Sequence, residues 1–169
     1  KYLEGEDVNQ VLILFFACHI VDTVFRALRK DFKDIDYMHA GLGQDTRSSI
    51  IRKFRSQKLR YLIASDVAAR GLDFSHVSHV INWDFPRDGE QYTHRTGRTG
   101  RMGKKGKAFT FVSKRDLPLF RKLLSSKKIT PCWIGKDPLC ENDAPPERKT
   151  QRRKRPFRPH STQGRKKTE

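Results

Sequence analysis

The sequence predicts an α/β domain, a mainly parallel sheet with helices on both faces, followed by a basic tail. Three observations predict it. Between Val11 and about Ser125, short apolar runs alternate strictly with helical patterns, the mark of βαβ units. The apolar runs lack polar alternation, as strands buried on both faces do. The texture then changes at Ala144, where apolar residues nearly vanish and Lys and Arg take over.

The elements follow in order. "VLILFF" at 11–16 is the first strand. Residues 19–32 place Ile20, Val24 and Leu28 on one stripe with Val21 and Phe25 beside it, an amphipathic helix. "IDYMHA" at 35–40 is a weaker strand, and residues 45–55 return to helical spacing with Ile50, Ile51 and Phe54. "YLIAS" at 61–65 and "HVINW" at 79–83 are further buried strands. Asp88 followed by Gln91 resembles a capping box just after Pro86, so a helix starts there. "KAFTFVS" at 107–113 is the last strand. Ser113 followed by Asp116 opens a final helix carrying Leu117, Phe120 and Leu124.

The 169 residues include 36 Lys and Arg against 19 Asp and Glu, a net charge of +17. So large an excess favours polyanionic partners, nucleic acid first. No stretch reaches the length of a membrane span, and "KYLEGEDVNQ" is no signal peptide. The chain lacks an initiator Met, which admits a fragment of a longer protein. Three cysteines without an export signal point to reduced thiols in a cytosolic setting, with Cys18 in the core and Cys132 and Cys140 at a spacing that fits no zinc pattern. Residues 144–169 carry ten Lys or Arg, two Glu and one large apolar side chain, Phe157. Such a segment cannot offset its ordering entropy and is expected to be disordered. The rest of the chain is basic in its own right. The expected organisation is a domain over 1–130, an ambiguous linker over 131–143 and the tail over 144–169.

In an open parallel sheet, ligands gather at the carboxyl ends of the strands, and four clusters fall on that edge. "HAGLGQDTR" frees the backbone at Gly41 and Gly43 and sets Arg47 in the first turn of a helix, where main-chain amides favour an anion. An ordinary strand–helix turn reads equally well. "DVAARGLDF" follows "YLIAS", so Ser65 and Asp66 leave the strand. Asp73, between Leu72 and Phe74, needs a partner: Arg70, a motif arginine or a ligand hydroxyl. Asp84 after "HVINW" reads as a helix-approach or ion-pair residue as readily as a functional one. "HRTGRTGR" at 94–101 spaces Arg95, Arg98 and Arg101 by three with Gly97 and Gly100 between them. A solvated face explains the charge but not the glycines, whereas guanidinium groups on a bendable backbone suit phosphate.

"ASDVAARGLD", "VINWDFP" and "HRTGRTGR", in that order, resemble the second RecA-like domain of the DEAD-box RNA helicases, within helicase superfamily 2. The likeness spans about residues 8–125, with "ILFFACHIVD" and "QDTR" where that family's motifs IV and IVa belong. RecQ-like DNA helicases usually lack "HRTGRTGR", and the DEAH group normally has Gln at the position of His94. This chain departs from the usual pattern with Ser65 for Thr, Ala40 for Gly and Thr96 for Ile; Ser65 keeps a hydroxyl for a phosphate.

The resemblance implies a RecA-like three-layer α/β/α fold and a set of roles. Arg98 and Arg101 look like arginine fingers that reach the γ-phosphate of ATP across an interdomain cleft. Asp73 is similar to the aspartate that accepts from the ribose hydroxyls. Gln44, Arg47, Ser65 and Gly71 correspond to positions that hold the backbone of single-stranded RNA. Asp66, Arg70, His94 and Arg95 look like residues that couple the two sites. No "GxxxxGK[ST]" and no Asp-Glu-Ala-Asp occurs here, so ATP with Mg²⁺ is expected to be held mainly by a missing N-terminal RecA-like domain. Alone, the chain is expected not to hydrolyse ATP. RNA, single-stranded or duplex, and that N-terminal domain are the expected partners, with no membrane and a cytoplasmic setting, or a nuclear or nucleolar one in a eukaryote. The rival readings are a stand-alone, non-enzymatic RNA-binding module and a DNA-directed superfamily 2 helicase domain.

Overall fold

The structure is a computed structural model that describes residues 8–70, 72, 74–135, 137 and 139. The chain divides into a compact unit, Lys1–Pro138, and a second unit, Leu139–Glu169. The tail expected to be disordered lies outside the described residues.

Among the described residues, five strands and five α-helices follow one another: β1 (Gln10–Phe15), α1 (Cys18–Leu28), β2 (Ile35–Met38), α2 (Gln44–Arg55), β3 (Tyr61–Ser65), α3 (Asp66–Ala69), β4 (Val77–Asn82), α4 (Gly89–Thr96), β5 (Lys107–Thr110) and α5 (Leu117–Lys127). The strands form one sheet in the order β2-β3-β1-β4-β5, and all four pairings are parallel. The sequence expectation of a parallel sheet holds, and so do its five strands.

Every residue of β1 is buried, because the central strand is covered on both sides. Leu12 and Leu14 join Leu62, Ala64 and Val80 of the neighbouring strands beneath Ile50 and Phe54 of α2 and Ala68 and Ala69 of α3. Val11, Ile13 and Phe15 point the other way, with Ile63 and Val21, against Ile20, Val24, Phe25 and Leu28 of α1. Period-two alternation on the strands thus feeds two cores, each buried large side chain contributing roughly 1.5–3 kcal/mol. Gln10, only 2 % exposed, fastens this packing at the amino end of β1. Its Nε2 donates to the carbonyls of Phe54 and Leu59, each at 2.7 Å.

Three elements end two or more residues before the sequence expectation. β2 stops at Met38 rather than residue 40, since the chain turns at once, with Leu42 N–H donating to the His39 carbonyl at 3.2 Å. α1 stops at Leu28 rather than residue 32, where turn bonds from Asp31 and Phe32 close on the Leu28 carbonyl. β5 stops at Thr110 rather than residue 113, because Ser113 enters a capping box with Asp116 that starts a 3-10 turn leading into α5. Cys18 is also not a core residue: it begins α1 half-buried as a free thiol. Within the stretch expected as a linker, Trp133 packs edge-on against Phe120 of α5, ring centroids 5.3 Å apart.

Candidate nucleotide and RNA edge

The carboxyl ends of β1, β3 and β4 carry a locked polar cluster. Asp66 is the first residue of α3, directly after β3. Its carboxylate receives a fork from Arg95 of α4, Nε to Oδ1 at 2.7 Å and Nη2 to Oδ2 at 2.6 Å. Arg95 is 2 % exposed and donates its remaining nitrogen, Nη1, to the Asp84 carbonyl at 2.6 Å. A buried guanidinium is tolerable when each nitrogen finds an acceptor and a counter-charge is present, and both conditions are met. Phe16 sits beneath: Arg95 and Arg87 lie 4.7 and 4.6 Å from its ring centroid, in the range of cation–π attraction. Phe16 N–H in turn donates to Oδ2 of Asp84 at 2.9 Å. Asp84 is therefore a structural anchor between β1 and the start of α4.

Helix α4 is placed by its cap. Asp88 accepts from the Gln91 amide at 2.7 Å, as the sequence predicts. The return half of the box differs: the Gln91 side chain accepts from Arg87 N–H at 2.8 Å and donates to Oδ2 of Asp66 at 2.8 Å. Gln91 thus ties the helix start to the ion pair, a role sequence reasoning missed because its second partner lies 25 residues away. Tyr92, beside it, has its phenol pKa raised by burial.

The three arginines of the motif separate. Arg95 points inward to Asp66. Arg98 is half-buried, with Nε donating to the His94 carbonyl at 3.2 Å and Nη1 to the Leu72 carbonyl at 2.7 Å. Arg101 donates from Nε to the Gly97 carbonyl at 2.8 Å. Gly97 caps α4, and Gly100 takes φ +70°, a left-handed turn that side chains other than glycine's resist. A cleft of about 440 Å³ opens here, lined by Asp66, Arg70, Arg87, His94, Arg95 and Arg98, among others. Arg70 and His94 are exposed on its wall, and His94 lies 3.8 Å from Glu90, one turn back. Arg101 is not part of that lining.

Gln44 and Arg47 sit elsewhere on the same edge. Both belong to the first turn of α2, Gln44 exposed and Arg47 half-buried. Met38 of β2 lies opposite Ala64 of β3, so the loop into α2 leaves the sheet beside Ser65. Ser65 is 1 % exposed, and its Oγ and the Arg47 Nε are enclosed without a hydrogen-bond partner among the described residues. The strand order thus puts Gln44 and Arg47 at the β2–β3 end, Arg95 and Arg98 at the β1–β4 end, and consecutive residues Ser65 and Asp66 between them. Gly71 and Asp73 lie outside the described residues. A second hollow, about 330 Å³ and lined by Gln10, Phe54 and His76 among others, is at the opposite end of β1 from every expected site residue. Among the described residues no group of three or more His, Cys, Asp or Glu could hold a metal, and no helix is long and apolar enough to cross a membrane.

A five-stranded parallel sheet in this order, with its chemistry gathered at the carboxyl edge, is the class of the RecA-like lobe. The profile of the helicase conserved C-terminal domain matches residues 1–103, and the chain belongs to that family, on its DEAD-box branch. The ATP-dependent RNA helicase CshA of Listeria monocytogenes is 50 % identical over 101 residues, which is 60 % of this chain and 19 % of that protein. The ATP-dependent RNA helicase DeaD of Escherichia coli is 38 % identical over 130 residues, 77 % of this chain and 21 % of its own. Among solved structures, the E. coli DEAD-box protein SrmB bound to regulator of ribonuclease activity A matches with a TM-score of 0.67 and 32 % identity, covering 76 % of this chain and 75 % of that one. S. cerevisiae Dbp5 bound to RNA and ADP BeF3 matches with a TM-score of 0.66 and 29 % identity, over 70 % and 32 % of the two chains. The chain spans about a fifth of the length of the two curated relatives.

Proposed function

We propose that this chain is the C-terminal lobe of an ATP-dependent RNA helicase, which completes a nucleotide site and contributes half of a single-stranded RNA site. The observation that carries the reading is the placement of Arg98. It stands on the wall of an open cleft, at the end of a helix that a buried Arg95–Asp66 fork fixes to the sheet. A guanidinium held in advance at a developing phosphoryl charge needs no reorganisation when the charge appears. The residues here suit the polyphosphate end of ATP: Arg70, Arg87 and Arg98 line the same cleft. In this reading Arg98 and Arg101 are the fingers and Asp73 holds the ribose. ATP supplies the phosphoryl group and Mg²⁺ the neutralising cation when bound, both mainly on an N-terminal lobe.

Gln44, Arg47, Ser65 and Gly71 are read as the phosphate contacts for RNA. The enclosed Arg47 Nε and Ser65 Oγ support that reading, since a buried polar group without a partner is costly unless a ligand supplies one. Asp66, Arg70, His94 and Arg95 connect the two sites through α3 and α4. Closure of two lobes by ATP and RNA together is the mechanism such a division implies.

The test joins the chain to its N-terminal lobe. Arg98→Ala is expected to lower RNA-stimulated kcat by about 10³-fold, the scale of an arginine finger, with RNA affinity in the absence of nucleotide nearly unchanged. A large loss of RNA affinity with kcat intact would place Arg98 on the wrong phosphate.

A further inference from the structure

A second polar cluster sits on the far side of β2 and has no part in the proposal so far. Phe25 of α1 packs on Tyr37 of β2, ring centroids 4.5 Å apart. That contact brings Asp22, one turn earlier on α1, over His39, two residues further along the β2 chain. The His39 side chain is 12 % exposed, and its Nε2 lies 3.1 Å from Oδ2 of Asp22. The approach falls outside hydrogen-bond geometry, so the carboxylate holds the neutral ring through its attraction for the Nε2–H dipole. Burial first, and then the same Asp22 carboxylate, push the Tyr37 phenol pKa up.

On its other side the imidazole faces the backbone. Nδ1 accepts the Gly41 amide at 3.0 Å. An acceptor Nδ1 requires the proton on Nε2, the nitrogen turned towards Asp22. The pair of contacts therefore selects one tautomer and one ring orientation. Gly41 is fitted to this arrangement: a Cβ there would stand 3.0 Å from both Cε1 and Nδ1 of the ring. The need for glycine is close approach of the imidazole, and Gly41 φ is not in the left-handed region. Two residues later Gly43 caps α2, whose first turn carries Gln44 and Arg47.

We propose that Asp22 is a positioning residue for RNA binding: through His39 it fixes the Gly41 amide and so the loop that presents Gln44 and Arg47. It acts from the opposite face of the sheet, on a helix that no expected RNA contact occupies. The inference rests on the reading of Gln44 and Arg47 as RNA contacts, and the test separates the two.

The full 169-residue chain is titrated with a labelled uridine decamer at low salt, and Gly41 amide exchange is followed by NMR. Asp22→Ala is expected to speed Gly41 exchange and to weaken the decamer about fivefold, the scale of losing the Gly41–His39 hydrogen bond once the ring is no longer held. In a His39→Asn background the amide oxygen takes the place of Nδ1 but nothing reaches Asp22, so Asp22→Ala is expected to add no further loss. Unchanged Gly41 exchange in Asp22→Ala overturns the proposal, as does an equal fivefold loss in both backgrounds. Arg47→Ala is the control. If it weakens the decamer while Asp22→Ala does not, the positioning role is wrong. If it leaves binding unchanged, the RNA assignment of α2 is wrong, and the exchange rates alone decide whether Asp22 orders the loop.

Discussion

Arg95 and Arg98 are the same residue type three positions apart, and the fold gives them opposite work. Arg95 engages all three of its nitrogens inside the protein, so truncating it leaves the largely enclosed Asp66 carboxylate without a counter-charge and with Gln91 as its remaining side-chain donor. Arg95→Ala is expected to cost about 3 kcal/mol in a urea titration. Arg95→Lys is expected to restore little, because one ammonium cannot replace a fork that engages both carboxylate oxygens and the Asp84 carbonyl. The sequence shows that three arginines are grouped and that Asp88 caps the helix. It does not show which arginine turns inward. That is decided by Asp66, Asp84 and Phe16, contributed by the ends of three different strands and brought together only by the parallel pairing of β1, β3 and β4.

At the level of elements, periodicity was sufficient wherever an element was long. The five strands and helices α1, α2, α4 and α5 are all visible as apolar runs, stripes or capping patterns. Helix α3 was not. It has four residues and no side-chain cap, too short for a 3.6-residue period to register, yet it delivers Asp66 to Arg95. The fastening of elements to one another is equally hidden. Gln10 reads as a polar residue before a strand, but it joins β1 to the end of α2 and to the loop before β3. Gln10→Leu leaves the Phe54 and Leu59 carbonyls without this donor and is expected to cost about 2 kcal/mol. Faster amide exchange across the C-terminal turn of α2 would accompany the lower denaturation midpoint. A midpoint equal to that of the parent would mean that water takes over both carbonyls at no cost.

For the molecule as a whole, charge is the dominant quantity. Residues 144–169 hold ten of the 36 Lys and Arg. If they lie along RNA, each phosphate they neutralise contributes about −0.7 to the slope of log K against log salt. Removing them is expected to flatten that slope in a filter-binding or anisotropy series while leaving the melting of the compact unit unchanged. An identical slope would confine RNA attraction to the compact unit.

The sheet is widest at its centre: six residues each in β1 and β4, five in β3, and four in each outer strand, β2 and β5. Outer strands are where foreign chains add themselves and amyloid-like growth begins, and brevity is one protection against it. Lys107, at the start of β5, adds an exposed charge on one of these margins. A lobe tapered in this way offers little template for strand addition and so runs a low risk of sticking to another copy of itself.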